Sequence, residues 1–427
     1  MSRPRSHLPT ALLPTLFAAG SALSNGVGLT PPLGWSTWLT CGDEACGHDV
    51  CNEAEVKSAA TAMASNGMRD LGWSYVVLDD CWAATERNAS SGGLTWDPAR
   101  FPSGIPSLVS WLHERNFSFG LYTSAGDETC SSGGRNGSVP GSRGHYTLDA
   151  RTFAEWSVDY VKLDWCGDIK KEPLQGKAAH EAFARAMNAS GRAMFLEVVA
   201  GYFFLGARIG SVANAWRFCE DHKDSWGKTR EQLTCRDDQL NMTGGPGAWA
   251  SMDVLTTGGA GCASGGGGGI GAHCAGQSDD EYRTEFSLWA LTQSPLLVAT
   301  DVRNLTSVMR QALLNEELVA LHQSTATPPG GRLAHWRCTE ALDCQVWGRR
   351  LTADGTGWMV ALVNLGSRPH SITVEWAHLG WEAGVTALVR DLWAHAPLPN
   401  ATGSFTADSV PVHGSVVVRL TRTRGVL

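Results

Sequence analysis

In the run Tyr160-Val161-Lys162-Leu163-Asp164-Trp165-Cys166, charged and apolar residues alternate. A strand sends successive side chains to opposite faces, so Lys162, Asp164 and Cys166 share one face while Val161 and Leu163 take the other. The apolar pair can pack beneath helices. The other face carries a carboxylate beside a cation at the strand's end, where a carboxylate held ionised suits a nucleophile. A structural Lys–Asp ion pair is the competing reading, because perturbed pairs are often architectural.

Related runs recur along the chain and favour the catalytic reading. They are Tyr75 to Asp80, Phe117 to Tyr122, Ala193 to Glu197, and Ala215 to Arg217 leading into Glu220 and Asp221. Pro295 to Asp301 closes the set, Trp249 to Asp253 is a weaker member, and Leu33 to Trp38 fits as the first strand. Helical patterns lie between them. Asn52 followed by Glu55 reads as a capping box opening a helix through Val56, Ala59, Ala60 and Met63. Leu108, Trp111 and Leu112 have helical spacing, as do Phe153 with Trp156, and Ala179, Phe183 and Met187. Phe286, Trp289 and Ala290 precede the last strand, and a helical stretch from Val308 to Leu321 follows it. Strands alternating with helices predict a parallel sheet, and eight units in this length predict a closed (β/α)8 TIM barrel over 25–325. Polar residues at the strand C-termini would then face one site. An open doubly wound sheet is the alternative, but Leu33-Gly34-Trp35 lacks the glycine turn that binds phosphate.

The helical pattern stops near Pro328-Pro329-Gly330-Gly331. Beyond it, runs such as Cys344 to Trp347, Trp358 to Val363, Ser371 to Val374 and Ser415 to Leu420 predict a C-terminal antiparallel β-sandwich over 326–427. The glycines from Gly265 to Gly269 lack the Gly-Lys-Ser/Thr ending of a phosphate loop and read as a surface loop.

Residues 1–24 read as a signal peptide: Arg3 and Arg5, an apolar stretch from Leu8 to Leu23, then small residues. No later apolar run is long enough to predict a membrane span. Seven Asn-x-Ser/Thr sites (Asn88, Asn116, Asn136, Asn188, Asn241, Asn304, Asn400) fit a glycoprotein, and twelve cysteines fit disulfides in an oxidising compartment. The expected location is therefore the secretory pathway, ending outside the cell or in a vacuole or lysosome. Cys41, Cys46 and Cys51 could otherwise bind a metal, if reduced and joined by a fourth ligand. A net charge of −8 without basic runs argues against a nucleic-acid partner. Some of the eighteen tryptophans could stack on sugar faces.

The motifs together resemble glycoside hydrolase family 27, the α-galactosidases and α-N-acetylgalactosaminidases, over nearly all of the mature chain. They are Leu33 to Trp38, Leu78-Asp79-Asp80-Cys81-Trp82, Leu121-Tyr122, the Lys162-x-Asp164-x-Cys166 pattern, and Trp216-Arg217 through Trp226. Arg100-Phe101-Pro102 and Ser294-Pro295-Leu296 also look like the family. The resemblance implies a retaining double displacement with Asp164 as nucleophile and Asp221 as acid/base, needing no metal or organic cofactor. The acid is expected to have a raised pKa. Glu220 and Asp224 are rival acids in the same loop. The resemblance further implies a carbohydrate substrate with terminal α-galactose. Asp79 and Asp80 would bind its 4- and 6-hydroxyls, Lys162 its 3- and 4-oxygens, and Arg217 would lie near the 2-oxygen. Trp38 and Tyr122 would form walls, and Asp253 would help close the site.

At the 2-position the signals are mixed. Glu197 matches the residue that α-galactosidases use for the 2-hydroxyl, whereas Ala200 matches the small residue that makes room for an acetamide. Galactose is favoured. α-N-Acetylgalactosamine, β-L-arabinopyranose or an isomaltose-type sugar are alternatives within the same mechanism, and a non-catalytic galactose-binding lectin is an alternative of another class. By resemblance Cys41 pairs with Cys81, Cys46 with Cys51, and Cys130 with Cys166. Proximity suggests Cys219 with Cys235, Cys262 with Cys274, and Cys338 with Cys344. Related enzymes include monomers, dimers and tetramers, so a homodimer is one expected assembly.

Overall fold

The structure is a computed structural model that describes residues 25–40, 50–130, 139–238, 244–260, 273–339 and 343–423. The expected signal segment, Cys41, Cys46, Cys262, Asn136, Asn241 and the glycine run lie outside them. Eight parallel strands carry the site: β1 (Leu33–Ser36), β2 (Tyr75–Leu78), β3 (Ser118–Ser124), β4 (Tyr160–Asp164), β5 (Phe195–Val198), β6 (Ala215–Arg217), β7 (Ala248–Ser251) and β8 (Leu296–Val298). Each pairs with its sequence neighbour through β7, and β8 pairs with β1. A parallel bridge from Leu255, just past β7, to Val298 of β8 brings the two ends of the sheet together.

The alternation read from β4 is realised in two separate cores. Val161 and Leu163 join the apolar sheath between strands and helices. Tyr160 points inward with Val77, Phe195, Ala215, Trp249 and Leu297, which fill the barrel interior. The sheath is completed by α1 (Glu53–Ser65), α2 (Ile105–His113), α3 (Tyr146–Glu155), α4 (Gly176–Ala189), the short α5 (Gly201–Leu205), α6 (Trp226–Asp238), α7 (Asp279–Leu291), α8 (Ser307–Leu313) and α9 (Glu316–Gln323). Asn52 caps α1 by accepting from the Glu55 backbone. The Glu55 side chain pairs with Arg303. The stretch from Val308 to Leu321 is two helices, because Asn315 turns its side chain onto the Leu318 N–H and starts α9 afresh.

Past α9 the chain is antiparallel. β9 (Gly331–Trp336), β10 (Cys344–Arg350), β11 (Gly357–Asn364), β12 (His370–Glu375), β13 (Thr386–Asp391), β14 (Ala396–Thr402), β15 (Ser404–Val410) and β16 (Ser415–Arg422) form two sheets. One runs in the order β9-β10-β11-β16-β13-β14, and the other pairs β12 with β15. Their shared core holds Val346, Val360, Leu362, Ile372, Val374, Trp376 and Val418.

The disulfides correct the expected pairing. Cys81 is bonded to Cys51, not to Cys41, which also leaves Cys46 without its expected partner. Arg100 donates to both the Cys51 and Cys81 carbonyls and so holds the start of α1 against the loop after β2. The two Cα atoms are 6.1 Å apart, within disulfide reach. Cys130 is joined to Cys166, Cys219 to Cys235, and Cys338 to Cys344.

Candidate active site

The strand register builds the site. Tyr122, Lys162 and Glu197 are Cα partners across β3, β4 and β5, so their side chains share one layer of the interior. Asp164 ends β4, Arg217 ends β6, Asp79 and Asp80 follow β2, Trp38 follows β1, and Asp253 follows β7. The proposed site residues therefore gather at the C-terminal ends of the strands, where barrel enzymes carry their chemistry.

The cation of β4 serves a different partner from the one its own strand suggested. Lys162 Nζ donates to Asp79 Oδ2 at 2.6 Å. Burial works against the Lys162 charge, but Asp79 foremost, then Asp253, outweigh it and raise its pKa. Asp79 also receives its own neighbour's Asp80 N–H at 2.9 Å, while its backbone N–H goes to Thr37 Oγ1. Asp164 is held instead by Tyr122 Oη at 2.9 Å and the Trp165 N–H at 2.7 Å. These two donors fix the orientation of the Asp164 carboxylate at the end of β4. The Cys130–Cys166 bridge ties the next turn to the loop after β3. Trp38 is half-buried, with Lys162 Nζ 4.5 Å and the Arg217 guanidinium 5.5 Å from its ring. The ring thus packs against both cations.

Arg217 is almost wholly buried and bonds two carboxylates through one nitrogen, Asp221 Oδ1 at 2.7 Å and Asp253 Oδ2 at 3.1 Å. Asp253, Asp221 and Asp164 together offset the burial cost and raise its pKa. Asp253 lines the cleft beside Glu197 and Lys162. Its side chain is 4 % exposed, and it adopts a left-handed φ of 69°. Its oxygens take the His222 and Val254 N–H groups, and its carbonyl takes Trp289 Nε1. Burial raises the Asp253 pKa against the pull of Arg217 and Lys162.

Asp221 is open to solvent, with 56 % of its side chain exposed. The expectation of a raised pKa is not met. Burial pushes its carboxyl up, but Arg217 by charge and hydrogen bond, then Lys162 and Lys223, bring it below the ordinary value. Asp224, a rival acid, is occupied otherwise. Its oxygens accept from Tyr282 Oη and from the Ala260 and Gly276 N–H groups, pinning two loops. Glu220 is exposed at the surface.

Glu197 lines the cleft floor with Ser36, Val77, Lys162, Ser251 and Asp253. It receives Tyr160 Oη at 2.5 Å, and burial raises its pKa against Lys162 and Tyr160. Ala200 is half-buried where α5 begins, with Gly201 next to it. Sequence reasoning missed Tyr160, Thr37, Ser124, His222 and Glu285. Alternation along β4 puts Tyr160 on the face of Lys162, so it was within reach. Ser124 accepts from the Cys166 N–H, and His222 pairs with Glu285; neither bond leaves a local pattern.

The family model for alpha galactosidase A matches residues 30–324, and that for the alpha galactosidase C-terminal beta sandwich domain matches 342–420. An α-galactosidase from Coffea arabica is 34% identical over 408 residues, covering 95% of this chain and 97% of its own. Alpha-galactosidase A from Homo sapiens is 30% identical over 406 residues, covering 89% of this chain and 86% of its own. The crystal structure of alpha-galactosidase I from Mortierella vinacea superposes with a TM-score of 0.77 at 28% identity, covering 93% and 98% of the two chains. With a matching family model over most of its length and a matching C-terminal sandwich, this chain belongs to the α-galactosidase family, glycoside hydrolase family 27.

Proposed function

We propose that the chain hydrolyses terminal α-D-galactosides by a retaining double displacement, with Asp164 as nucleophile and Asp221 as acid/base. The observation that carries this is a pair of carboxylates at the strand ends: Asp164, braced by Tyr122 and the Trp165 N–H, and the solvent-facing Asp221, bonded to Arg217. Asp164 attacks the anomeric carbon while the bond to the leaving oxygen breaks and Asp221 gives that oxygen its proton. A glycosyl ester forms on Asp164. Asp221, now a carboxylate, removes a proton from water, which attacks the same carbon, frees Asp164 and yields the sugar with its configuration retained. Arg217 holds Asp221 ionised, so its bond to Asp221 must loosen for the first step. A sugar 2-oxygen taking over Arg217 would do that.

Asp79, Asp80 and Lys162 form a charged floor suited to hydroxyls, and Trp38 and Tyr122 flank it. The buried Glu197 favours a free 2-hydroxyl. Ala200 supports the second reading, α-N-acetylgalactosamine, because a small side chain stands where α5 begins. Hydrolysis of aryl α-galactoside and aryl α-N-acetylgalactosaminide, side by side with wild type and Asp164→Ala, tests both. We expect the galactoside to be preferred and Asp164→Ala to be inactive. Undiminished turnover by that variant would sink the mechanism, and preference for the acetamide would replace the substrate. Binding of galactose without turnover at any pH would leave a lectin.

Passage through the secretory pathway is part of the same reading. The described sequon asparagines Asn88, Asn116, Asn188, Asn304 and Asn400 are all exposed, and the described residues include four disulfides. No described helix is long and apolar enough to cross a membrane.

A further inference from the structure

The loop from Arg217 to Asp224 must present Asp221 to an oxygen outside the protein, yet Asp221's own side chain is mostly exposed. Arg217 bonds its carboxylate, and the backbone beside it is anchored one residue further on. His222 is completely buried, with Nε2 2.8 Å from Glu285 Oε1 on α7. Glu285 is also completely buried and is heavily engaged. Oε1 accepts from the Thr256 N–H and hydroxyl, and Oε2 from the Thr257 hydroxyl. A carboxylate that already accepts these bonds takes His222 Nε2 as a further donor, which assigns the tautomer. The ring lies 5.2 Å from Trp289, and Nδ1 has no partner among the described residues. The backbone N–H of His222 is bound as well, to Asp253 Oδ2 at 2.9 Å. His222 is therefore anchored at both backbone and side chain. Its neighbours Cys219 and Asp224 are anchored too, by a disulfide and by Tyr282.

We propose that His222, held by Glu285, is a positioning residue for the general acid. With His222 drawn inward onto α7, Asp221 is turned outward toward the leaving-group oxygen, where a displacement of about 1 Å can cost roughly 100-fold in rate. The inference rests on Asp221 being the acid/base.

The test uses kcat/KM, which reports glycosylation, on two α-galactosides: one with a dinitrophenyl group, which leaves without a proton, and one with an alkyl group, which needs one. His222→Phe keeps a ring and deletes the hydrogen bond; His222→Gln restores a donor. We expect His222→Phe to lose roughly 10- to 100-fold on the alkyl substrate, within the range attributed to general acid catalysis, and to change little on the dinitrophenyl substrate. His222→Gln should recover part of the loss. Retained activity on the dinitrophenyl substrate shows that the variant is folded. Equal losses on both substrates, or no loss on either, would overturn the proposal. If His222→Phe does not accumulate, Glu285→Gln is assayed for the same selective loss at smaller size, and its absence counts equally against the proposal. Asp221→Asn separates the two failures. If that variant shows no leaving-group selectivity, the acid assignment is wrong. If it does and the His222 variants do not, only the positioning role fails.

Discussion

Arg217 bonds both Asp221 and Asp253, and its charge decides how the proposed acid titrates. The Asp221 pKa lies below the ordinary carboxylate value because Arg217 outweighs burial. A general acid works only in its protonated form, so kcat/KM should fall as pH rises through the Asp221 pKa of the free enzyme. That places the best glycosylation rate on the acidic side. Removing the guanidinium in Arg217→Gln lifts the pKa, keeps Asp221 protonated to higher pH, and moves the basic limb of the kcat/KM profile upward. The variant should lose absolute rate as well, because a sugar contact goes with the charge. A pH–rate profile on an alkyl α-galactoside checks this, and an unmoved basic limb would mean that another group is the acid.

At the level of elements, the nucleophile's strand depends on a close backbone approach. Gly126, in the loop after β3, donates to Ser124 Oγ, which also accepts from the Cys166 N–H. A Cβ on Gly126 would lie 1.7 Å from the Cys166 carbonyl oxygen, so Gly126→Ala must push the end of β4 away. Overpacking of this kind costs about 1–3 kcal/mol, and here the displaced turn begins two residues after Asp164. We expect a lower melting temperature together with a lower kcat; wild-type values for both would show that the two loops part freely. This contact was invisible in the sequence, whereas the strand it touches was plain. Alternating residues from Tyr160 to Cys166 sort themselves because one face meets helices and the other meets the barrel interior. The same logic located Asp79, Glu197 and Arg217 at strand ends. It did not locate bonds between distant segments. Arg100 aligns Cys51 with Cys81, and Glu285 reaches His222 across 63 residues. It also read one helix where Asn315 makes two, since apolar spacing continues across the break while the cap is a local bond.

In the whole molecule, α7 faces the site and the sandwich at once. Tyr282 and every residue from Thr284 to Leu291 are buried. Glu285 and Trp289 reach His222 and Asp253, while Thr284 donates to the His413 carbonyl and Ser287 accepts from Trp393 Nε1. Trp347, Met359, Ala361, Leu392 and Val417 of the sandwich belong to the same apolar cluster as Phe286, Trp289 and Leu318 of the barrel. The two layers thus share a core, and a chain ended at Thr325 should expose that cluster, lose solubility and lose activity. The polar edge of the seam gives a pH-resolved test. Glu317 of α9 takes two bonds from Arg390, at 2.7 and 2.8 Å, and one from His395. The Arg390 hydrogen bonds foremost lower its pKa to about 2. A carboxyl whose folded pKa is depressed stabilises the fold above its unfolded pKa and loses that contribution as pH falls through the folded value. Glu317→Gln should therefore melt below wild type at pH 6, and the gap should close as pH falls from about 4.5 toward about 2. Since the group lies at a partly solvated edge, the gap should also shrink in high salt. A single melting transition that shifts as a whole would show the barrel and sandwich unfolding together. A shift confined to one of two separate transitions would mean that the shared core does not bind them into one cooperative unit.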